Sequence, residues 1–287
     1  MGHHLVVFAH GPEDSKRWVI NLRDNSVQTP WGFSFGAADD KYSLTQFGKN
    51  QIIKFGGEED RKATNELVLM TIDSFDRKIL LKYLSLITSS ALRIRSEVIQ
   101  HKNAPKISGH TAVTYQDCLF VFGGRSTGRG NSPNYKLWCY DLSILSLKAL
   151  LISSIVRRTW KQCDTIGEGP DPKDGAKSWI KDDKLYVYGG LTRNSEIKVN
   201  YSELFELNLS KRNPFSTKLK LLSLESMKWR KIEQSGTSTP GQDSTFFERL
   251  STDIYGDNLL ILKNETKDES DQLYCCNRSR LSRDLSF

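Results

Sequence analysis

Three apolar segments of this chain each close in a pair of glycines: QIIKFGG ends at Gly57, CLFVFGG at Gly124 and KLYVYGG at Gly190. The second glycines lie 67 and 66 residues apart. Regular spacing of this kind indicates a repeat architecture in which every copy is one supersecondary unit. A strand that ends in two glycines indicates backbone angles that other residues avoid, or a neighbouring segment packed against bare backbone.

Two weaker copies flank these three. LVVFAHG runs from Leu5 to Gly11 with His10 in place of the first glycine, and NLLILKN, from Asn258 to Asn264, lacks both glycines. The chain is therefore predicted to form a single domain of about five units. Their predicted bounds are 1–36, 41–99, 106–166, 174–234 and 242–287.

Each unit contains further strand-like segments besides the one that ends in glycine. A short segment precedes the glycine strand, as in KYSLTQF, GHTAVTY and AKSWIKD, and a second strand follows a polar loop, as in YKLWCYDLS. A last strand begins near a tryptophan: Trp31, Trp160 and Trp229. Four strands per unit, few helix signals and turns rich in Gly, Asn, Asp and Ser predict an all-β repeat whose sheets stack on their neighbours.

These units resemble the kelch repeat, in which a Gly-Gly pair is followed by a tyrosine and then a tryptophan. The residues that carry the resemblance are Gly56, Gly57, Gly123, Gly124, Gly189, Gly190, Trp31, Trp160 and Trp229. The resemblance implies a β-propeller of four-stranded antiparallel blades, with about five recognisable blades and degenerate terminal ones. A kelch unit has about 50 residues, and the excess here fits inserted loops between strands.

In such a propeller, the loops that enter the innermost strands converge on a central channel and offer polar groups to a peptide. The candidate partner-binding residues at these entrances are Lys41, Tyr42, Lys106, Ser108, Lys173, Asp174, Lys177 and Gln242. Lysines there are suited to carboxylates. Kelch ligand sites often use arginine at these entrances; Lys106 and Lys173 hold the nearby positions here, which weakens bidentate carboxylate recognition.

Charge and cysteine content narrow the class of partner. The net charge of +7 and the pI of about 9.0 favour acidic partners, but the basic residues are scattered and match no nucleic-acid-binding signature. No apolar run is long enough to cross a bilayer, and the N-terminus lacks a secretory signal, so no membrane or nucleic-acid partner is expected. Five cysteines without metal-ligand spacing fit reduced thiols. A cytoplasmic location that extends to the nucleus is predicted.

Few sequence features suggest catalysis. The glycine-rich GGRSTGRGNS lacks the lysine and the following helix of a phosphate loop. Three of the five histidines lie in the first unit and the other two, His101 and His110, lie about 90 residues or more further along the chain, and His110 takes the place of the histidine common in kelch blades. We therefore predict no catalytic residue, no metal and no cofactor.

A finer resemblance involves PDPKDGAKSWIKDDKLYVYGG, residues 170–190. It is similar to blades of the kelch-domain substrate receptors of cullin-2 ubiquitin ligases, which implies a basic pocket for a terminal carboxylate. The leading hypothesis is a non-catalytic module that binds a peptide or protein segment, acidic or C-terminal, at the rim or channel, as substrate recognition for ubiquitin-ligase subunits. The alternatives are a scaffold or cytoskeleton-associated protein that binds through blade edges, and an enzyme with an unrecognised site.

Overall fold

A computed structural model describes most of the strands of the chain. The described residues are 4–10, 15–21, 27–30, 41–75, 91–126, 133–145, 159–172, 174–193, 198–200, 203–209, 227–232, 250–255, 258–263 and 272–277. Within these ranges the regular structure is β throughout, apart from one 3-10 turn at Ser143–Leu145. Trp31 lies outside them.

The strands fall into five consecutive units. The first is an antiparallel sheet of β1 (His4–His10), β2 (Ser15–Asn21) and β3 (Val27–Gln28). The second runs through β4 (Ser43–Phe47), β5 (Gln51–Phe55), a small hairpin of β6 (Glu58–Glu59) and β7 (Lys62–Ala63), then β8 (Leu67–Phe75) and β9 (Ala91–Val98). In this unit β4, β5, β8 and β9 form a four-stranded antiparallel sheet in that order.

The third and fourth units repeat this plan. The third is β10 (Ser108–Tyr115), β11 (Cys118–Arg125), β12 (Leu137–Asp141) and β13 (Trp160–Cys163), side by side. The fourth comprises β14 (Thr165–Ile166), β15 (Lys177–Lys181), β16 (Lys184–Tyr188), the hairpin β17 (Leu191–Arg193) and β18 (Lys198–Asn200), β19 (Leu204–Asn208) and β20 (Met227–Ile232). Its main sheet has the order β15-β16-β19-β20, with β14 added beyond β20.

The fifth unit is the antiparallel sheet of β21 (Leu250–Tyr255), β22 (Asn258–Lys263) and β23 (Gln272–Asn277). The predicted all-β class and the four-stranded antiparallel blade are thus confirmed, with complete blades in the three central units. The innermost strands β4, β10 and β15 lie beside one another in sequence order, and β15 also contacts β21. This is the arrangement of blades in a β-propeller.

Apolar side chains fill the layers between adjacent blades. Between the second and third blades, Phe55 and Leu69 pack with Leu119 and Tyr140 in one buried cluster. Between the third and fourth, another cluster joins both sheets: Phe120, Phe122, Cys139, Leu185, Val187, Phe205 and Trp229. Burial of this apolar surface is the main contribution to stability, since each sheet alone leaves one face in water.

The second blade is also joined to the third, and the third to the fourth, along their outer edges. The segment that leaves β9 forms a parallel bridge from Lys102 to Thr159, and the Trp160 amide donates to the Lys102 carbonyl at 3.1 Å. The segment that leaves β13 does the same one blade later, where β14 pairs in parallel with β20. These outer strands of the third and fourth blades are therefore partly paired along their outer side.

The glycine pairs have the two properties that the sequence indicated. All six glycines have positive φ angles between 59° and 108°. At Gly124 a Cβ atom would lie 2.5 Å from the Ser108 carbonyl oxygen and 2.7 Å from the His110 nitrogen. The strand end thus requires both a left-handed backbone and the absence of a side chain, because β10 passes directly against it.

Two of the three strands that end in glycine are covered on both faces. The residues of β11 are buried from Cys118 to Gly124, and those of β5 from Ile52 to Phe55. In β16 only alternate residues are buried, and Tyr186 and Tyr188 are half-buried. This face of the fourth blade is polar. The buried Glu206 carboxylate forms salt bridges with Lys184 Nζ at 3.2 Å and with Arg230 Nη2 at 2.7 Å.

His110 connects the second and third blades. Its Nε2 lies 2.8 Å from Ser43 Oγ, and its ring packs edge-on against Phe55 at 5.4 Å between centroids. Burial lowers the pKa of His110 to about 3, against a smaller opposing effect of the Phe55 backbone. The imidazole is therefore neutral in the folded protein near pH 7.

The close approach at Gly124 leads to a paired test by substitution. Gly124→Ala adds a methyl group where backbone atoms already lie, and we expect it to cost about 3 kcal/mol or more. Gly48→Ala is the control: Gly48 has φ +65°, but its Cβ would meet only the Gln51 side chain at 3.7 Å, so the cost is about 1 kcal/mol. Urea unfolding measures both. Equal costs would contradict the packing of β10 against the glycine pair.

The buried imidazole makes stability depend on pH. The folded pKa of His110, about 3, lies below its ordinary value of 6.5, so the stabilisation is complete above pH 6.5 and is lost as the pH falls toward 3. The loss reaches about 5 kcal/mol across that window. We expect the urea midpoint of the wild type to fall more between pH 7 and pH 5 than that of His110→Gln. Parallel pH profiles would contradict the burial of a neutral imidazole.

Candidate functional site

The innermost strands of three blades begin at one rim of the propeller, where their backbones are hydrogen-bonded in series. The Gly109 amide donates to the Lys41 carbonyl at 2.9 Å, and the Gly175 amide donates to the Gly109 carbonyl at 2.8 Å. All three residues have left-handed φ angles: 56° at Lys41, 67° at Gly109 and 73° at Gly175. Corresponding positions of consecutive blades thus meet at the entrance of the central channel.

Five side chains gather at this entrance: Lys41, Glu58, Ser108, Arg125 and Asp174. We call them the mouth cluster. Lys41 Nζ lies 3.0 Å from Glu58 Oε2, Arg125 Nη2 lies 3.9 Å from the same oxygen, and Arg125 Nε lies 3.6 Å from Asp174 Oδ2. Positive and negative groups therefore alternate across three blades, and their charges cancel.

The position of Asp174 depends on the glycine of the neighbouring blade. A Cβ atom on Gly109 would lie 1.6 Å from Asp174 Oδ1, so the carboxylate occupies the volume of the missing side chain. The hydrogen bond between Gly175 and Gly109 holds the backbone beside Asp174. Because Gly109 has no side chain, the Asp174 carboxylate of the fourth blade can approach Arg125 of the third blade.

Two hydrogen-bond donors of the mouth cluster lack acceptors among the described residues. Ser108 is fully buried, and its Oγ makes no hydrogen bond there; the same is true of Arg125 Nε, in a side chain that is only 16% exposed. The contact of 3.6 Å from this nitrogen to Asp174 is an ion pair, but is too long for a hydrogen bond. Ser108 lies directly opposite Arg125 in the pairing of β10 with β11, so both donors belong to one small region.

The structure places three of the eight predicted site residues in the mouth cluster: Lys41, Ser108 and Asp174. The Tyr42 ring lies 5.3 Å from Lys54 Nζ and packs against an apolar cluster of the second blade. Lys106 is exposed at the entrance to β10, and Lys177 is half-buried at the start of β15. Burial lowers the pKa of Lys177 to about 8. Lys173 and Gln242 lie outside the described residues.

Sequence reasoning missed Glu58 and Arg125. Both come directly after a Gly-Gly pair, at equivalent positions of the second and third blades. The left-handed glycines turn the chain at the end of the strand, and the next side chain then lies over the channel entrance. The arginine that the sequence analysis sought near Lys106 is therefore supplied by the neighbouring strand, at Arg125.

The described residues offer little for acid-base or metal chemistry. Ser43 and His110 are close, but both are buried, and a pKa of about 3 makes His110 a poor base near neutral pH. Burial raises the pKa of the Cys118 thiol to about 12, and a hydrogen bond with Cys163, followed by burial, raises the pKa of Cys139. No group of three His, Cys, Asp or Glu residues suited to a metal ion occurs in this part of the chain.

Within the described ranges, no helix has the length and apolar character required to cross a bilayer.

Comparison with known proteins gives one curated relative and one solved structure of note. A segment of 101 residues, 35% of this chain, is 28% identical to the "Rab9 effector protein with kelch motifs" of Gallus gallus and spans 23% of that protein. The solved structure titled "Structure of YjhT" matches with a TM-score of 0.53 at 13% identity, over 91% of this chain and 72% of that one. The similarity to this solved structure is a similarity of fold.

The family match covers most of the chain. Residues 2–261 match the family model described as the KLHDC2/KLHL20/DRC7 Kelch-repeats domain. The match agrees with the stacked four-stranded blades, the left-handed glycine pairs and the buried Trp160 and Trp229. The chain therefore belongs to the kelch-repeat family of β-propellers, whose domains generally bind protein partners.

Proposed function

We propose that this protein is a non-catalytic interaction module that binds a peptide or protein segment at the mouth of the central channel. Ser108 and Arg125 are the residues that hold a carboxylate of the partner, either an acidic side chain or a chain terminus. Membership of a family whose domains generally bind proteins supports the class of function. The mouth cluster supports the mouth of the channel as the binding site.

The observation that carries the proposal is the pair of buried donors without acceptors. A buried hydroxyl or guanidinium nitrogen that makes no hydrogen bond costs about 1 to 3 kcal/mol, so such groups are rare unless a ligand or water completes them. Ser108 Oγ and Arg125 Nε are two such groups, on directly opposed residues at the rim. A ligand oxygen is the chemically matching acceptor, since both groups are donors.

The surroundings favour a carboxylate over a neutral carbonyl. The Arg125 side chain is largely buried, and attraction between opposite charges is stronger where water is excluded. A guanidinium presents donors in a planar arrangement that matches the two oxygens of a carboxylate. The net charge of +7 adds a general attraction for acidic segments.

A narrower form of the proposal is substrate recognition for a ubiquitin ligase, in the cytoplasm or the nucleus. It is supported by the similarity of residues 170–190 to blades of cullin-2 substrate receptors, and Asp174 of the mouth cluster lies in this segment. Affinity purification of the tagged chain from cells, followed by immunoblotting for cullin-2, tests it. We expect cullin-2 with the wild type; its absence after crosslinking would remove this narrower role.

Binding through blade edges, as in a scaffold, has less support. The outer strands of the third and fourth blades are already bridged by the segments from Lys102 and β14. A partner strand would have to displace these contacts or use the remainder of each edge. The structure therefore favours the mouth over the edges in these two blades.

Substitutions that leave the fold intact test whether a ligand binds at Ser108 and Arg125. Ser108→Ala removes a buried hydroxyl that makes no hydrogen bond, so the urea midpoint stays equal or rises slightly, while ligand retention falls about tenfold. Arg125→Lys keeps the charge and loses the planar donor set, with a similar fall. Ser96→Ala, on the exposed outer strand β9, is the matched control and changes neither.

The probe is a pool of N-acetylated pentapeptides of degenerate sequence in two forms, one with a free C-terminal carboxylate and one amidated. Immobilised protein is incubated with each pool, and the retained peptides are quantified by mass spectrometry. Selective retention of the free-acid form indicates a chain terminus, whereas retention of amidated peptides rich in Asp and Glu indicates acidic side chains. Equal retention by wild type, Ser108→Ala and Arg125→Lys would refute the proposed site.

A further inference from the structure

We infer that Asp174 is a built-in competitor for the ligand carboxylate: its own carboxylate occupies the neighbourhood of Arg125, and a ligand binds by displacing it. This inference rests on the proposed function, and it identifies a residue of the chain that sets ligand affinity. Asp174 is then a specificity-determining residue of the channel mouth, because its negative charge lowers the affinity for a carboxylate ligand.

The distances around Arg125 are the first support. Asp174 Oδ2 and Glu58 Oε2 approach this guanidinium to 3.6 Å and 3.9 Å, close enough to neutralise its charge. Both separations exceed hydrogen-bond length, and Arg125 Nε donates to no acceptor among the described residues. The intramolecular carboxylates thus compensate the charge of Arg125 and leave its hydrogen-bonding capacity for another group.

The two carboxylates are not equivalent. Glu58 is already bound to Lys41 at 3.0 Å, so moving it away from Arg125 would also break that hydrogen bond. Asp174 instead lies against the backbone of Gly109, in the space that a side chain there would fill. Rotation of the Asp174 side chain moves its carboxylate away from Arg125, while the bond between Gly175 and Gly109 keeps the backbone in place.

Electrostatics gives the direction of the effect. A ligand carboxylate at Arg125 would lie beside Asp174, whose side chain is only 20% exposed, and like charges repel strongly where water is scarce. Removing the charge of Asp174 relieves this repulsion and leaves Arg125 in need of an anion. Ligand affinity therefore rises when Asp174 is neutralised, although the ion pair of the free protein is lost.

Arginine reactivity tests the contact without a known ligand. Asp174→Asn keeps the size of the side chain and removes its charge; p-hydroxyphenylglyoxal then modifies Arg125 several-fold faster than in the wild type, as followed by peptide mass spectrometry. Asp73→Asn is the matched control, because Asp73 lies 2.5 Å from Arg95 on the outer strands of the second blade. In Asp73→Asn, only the modification rate of Arg95 increases. In Asp174→Asn, an unchanged modification rate of Arg95 shows that the fold is intact.

The peptide pools then connect the contact to binding. We expect Asp174→Asn to retain about ten times more of the carboxylate-bearing pool than the wild type, with no gain in Asp73→Asn. An unchanged reactivity of Arg125, or unchanged or lower peptide retention in Asp174→Asn, overturns the inference. If retention depends on Arg125 but not on Asp174, only the inference fails; if it depends on neither, the proposed function fails with it.

Discussion

Face-to-face packing of adjacent sheets is the constraint on which the whole molecule depends. The apolar faces of the central blades can be covered only by a neighbouring blade. This packing brings β10 against the end of β11 so closely that only hydrogen fits on Gly124. The left-handed glycines then return the chain to the rim. The same feature therefore allows blades to stack and positions the residue that follows each glycine pair.

The packing of the blades determines which charged side chains meet at the rim. Glu58 and Arg125 occupy equivalent places in successive blades, and the change of residue type between them converts a structural repeat into an alternating series of charges. The series is completed by Lys41 and Asp174, which come from the entrances of the flanking inner strands. A mouth of this kind is neutral overall yet contains strongly interacting groups, so single charges in it have large effects on an incoming anion.

The blades differ in how they meet their neighbours. The layers on both sides of the third blade are apolar, whereas the far face of the fourth blade carries Glu206 with Lys184 and Arg230. Buried charged groups contribute little net stability compared with apolar packing of similar volume. The second, third and fourth blades supply every member of the mouth cluster.

The sequence by itself determined the repeat, the all-β class and the kelch family, because the spacing of Gly57, Gly124 and Gly190 and the recurring strand pattern are local properties of the chain. It also located Lys41, Ser108 and Asp174 near the rim, because these residues precede or begin inner strands. Only the tertiary structure decided that Arg125 faces Ser108 and that Asp174 fills the space above Gly109. Those contacts join residues from different strands and blades, and no spacing along the chain records which side chain a neighbouring blade presents.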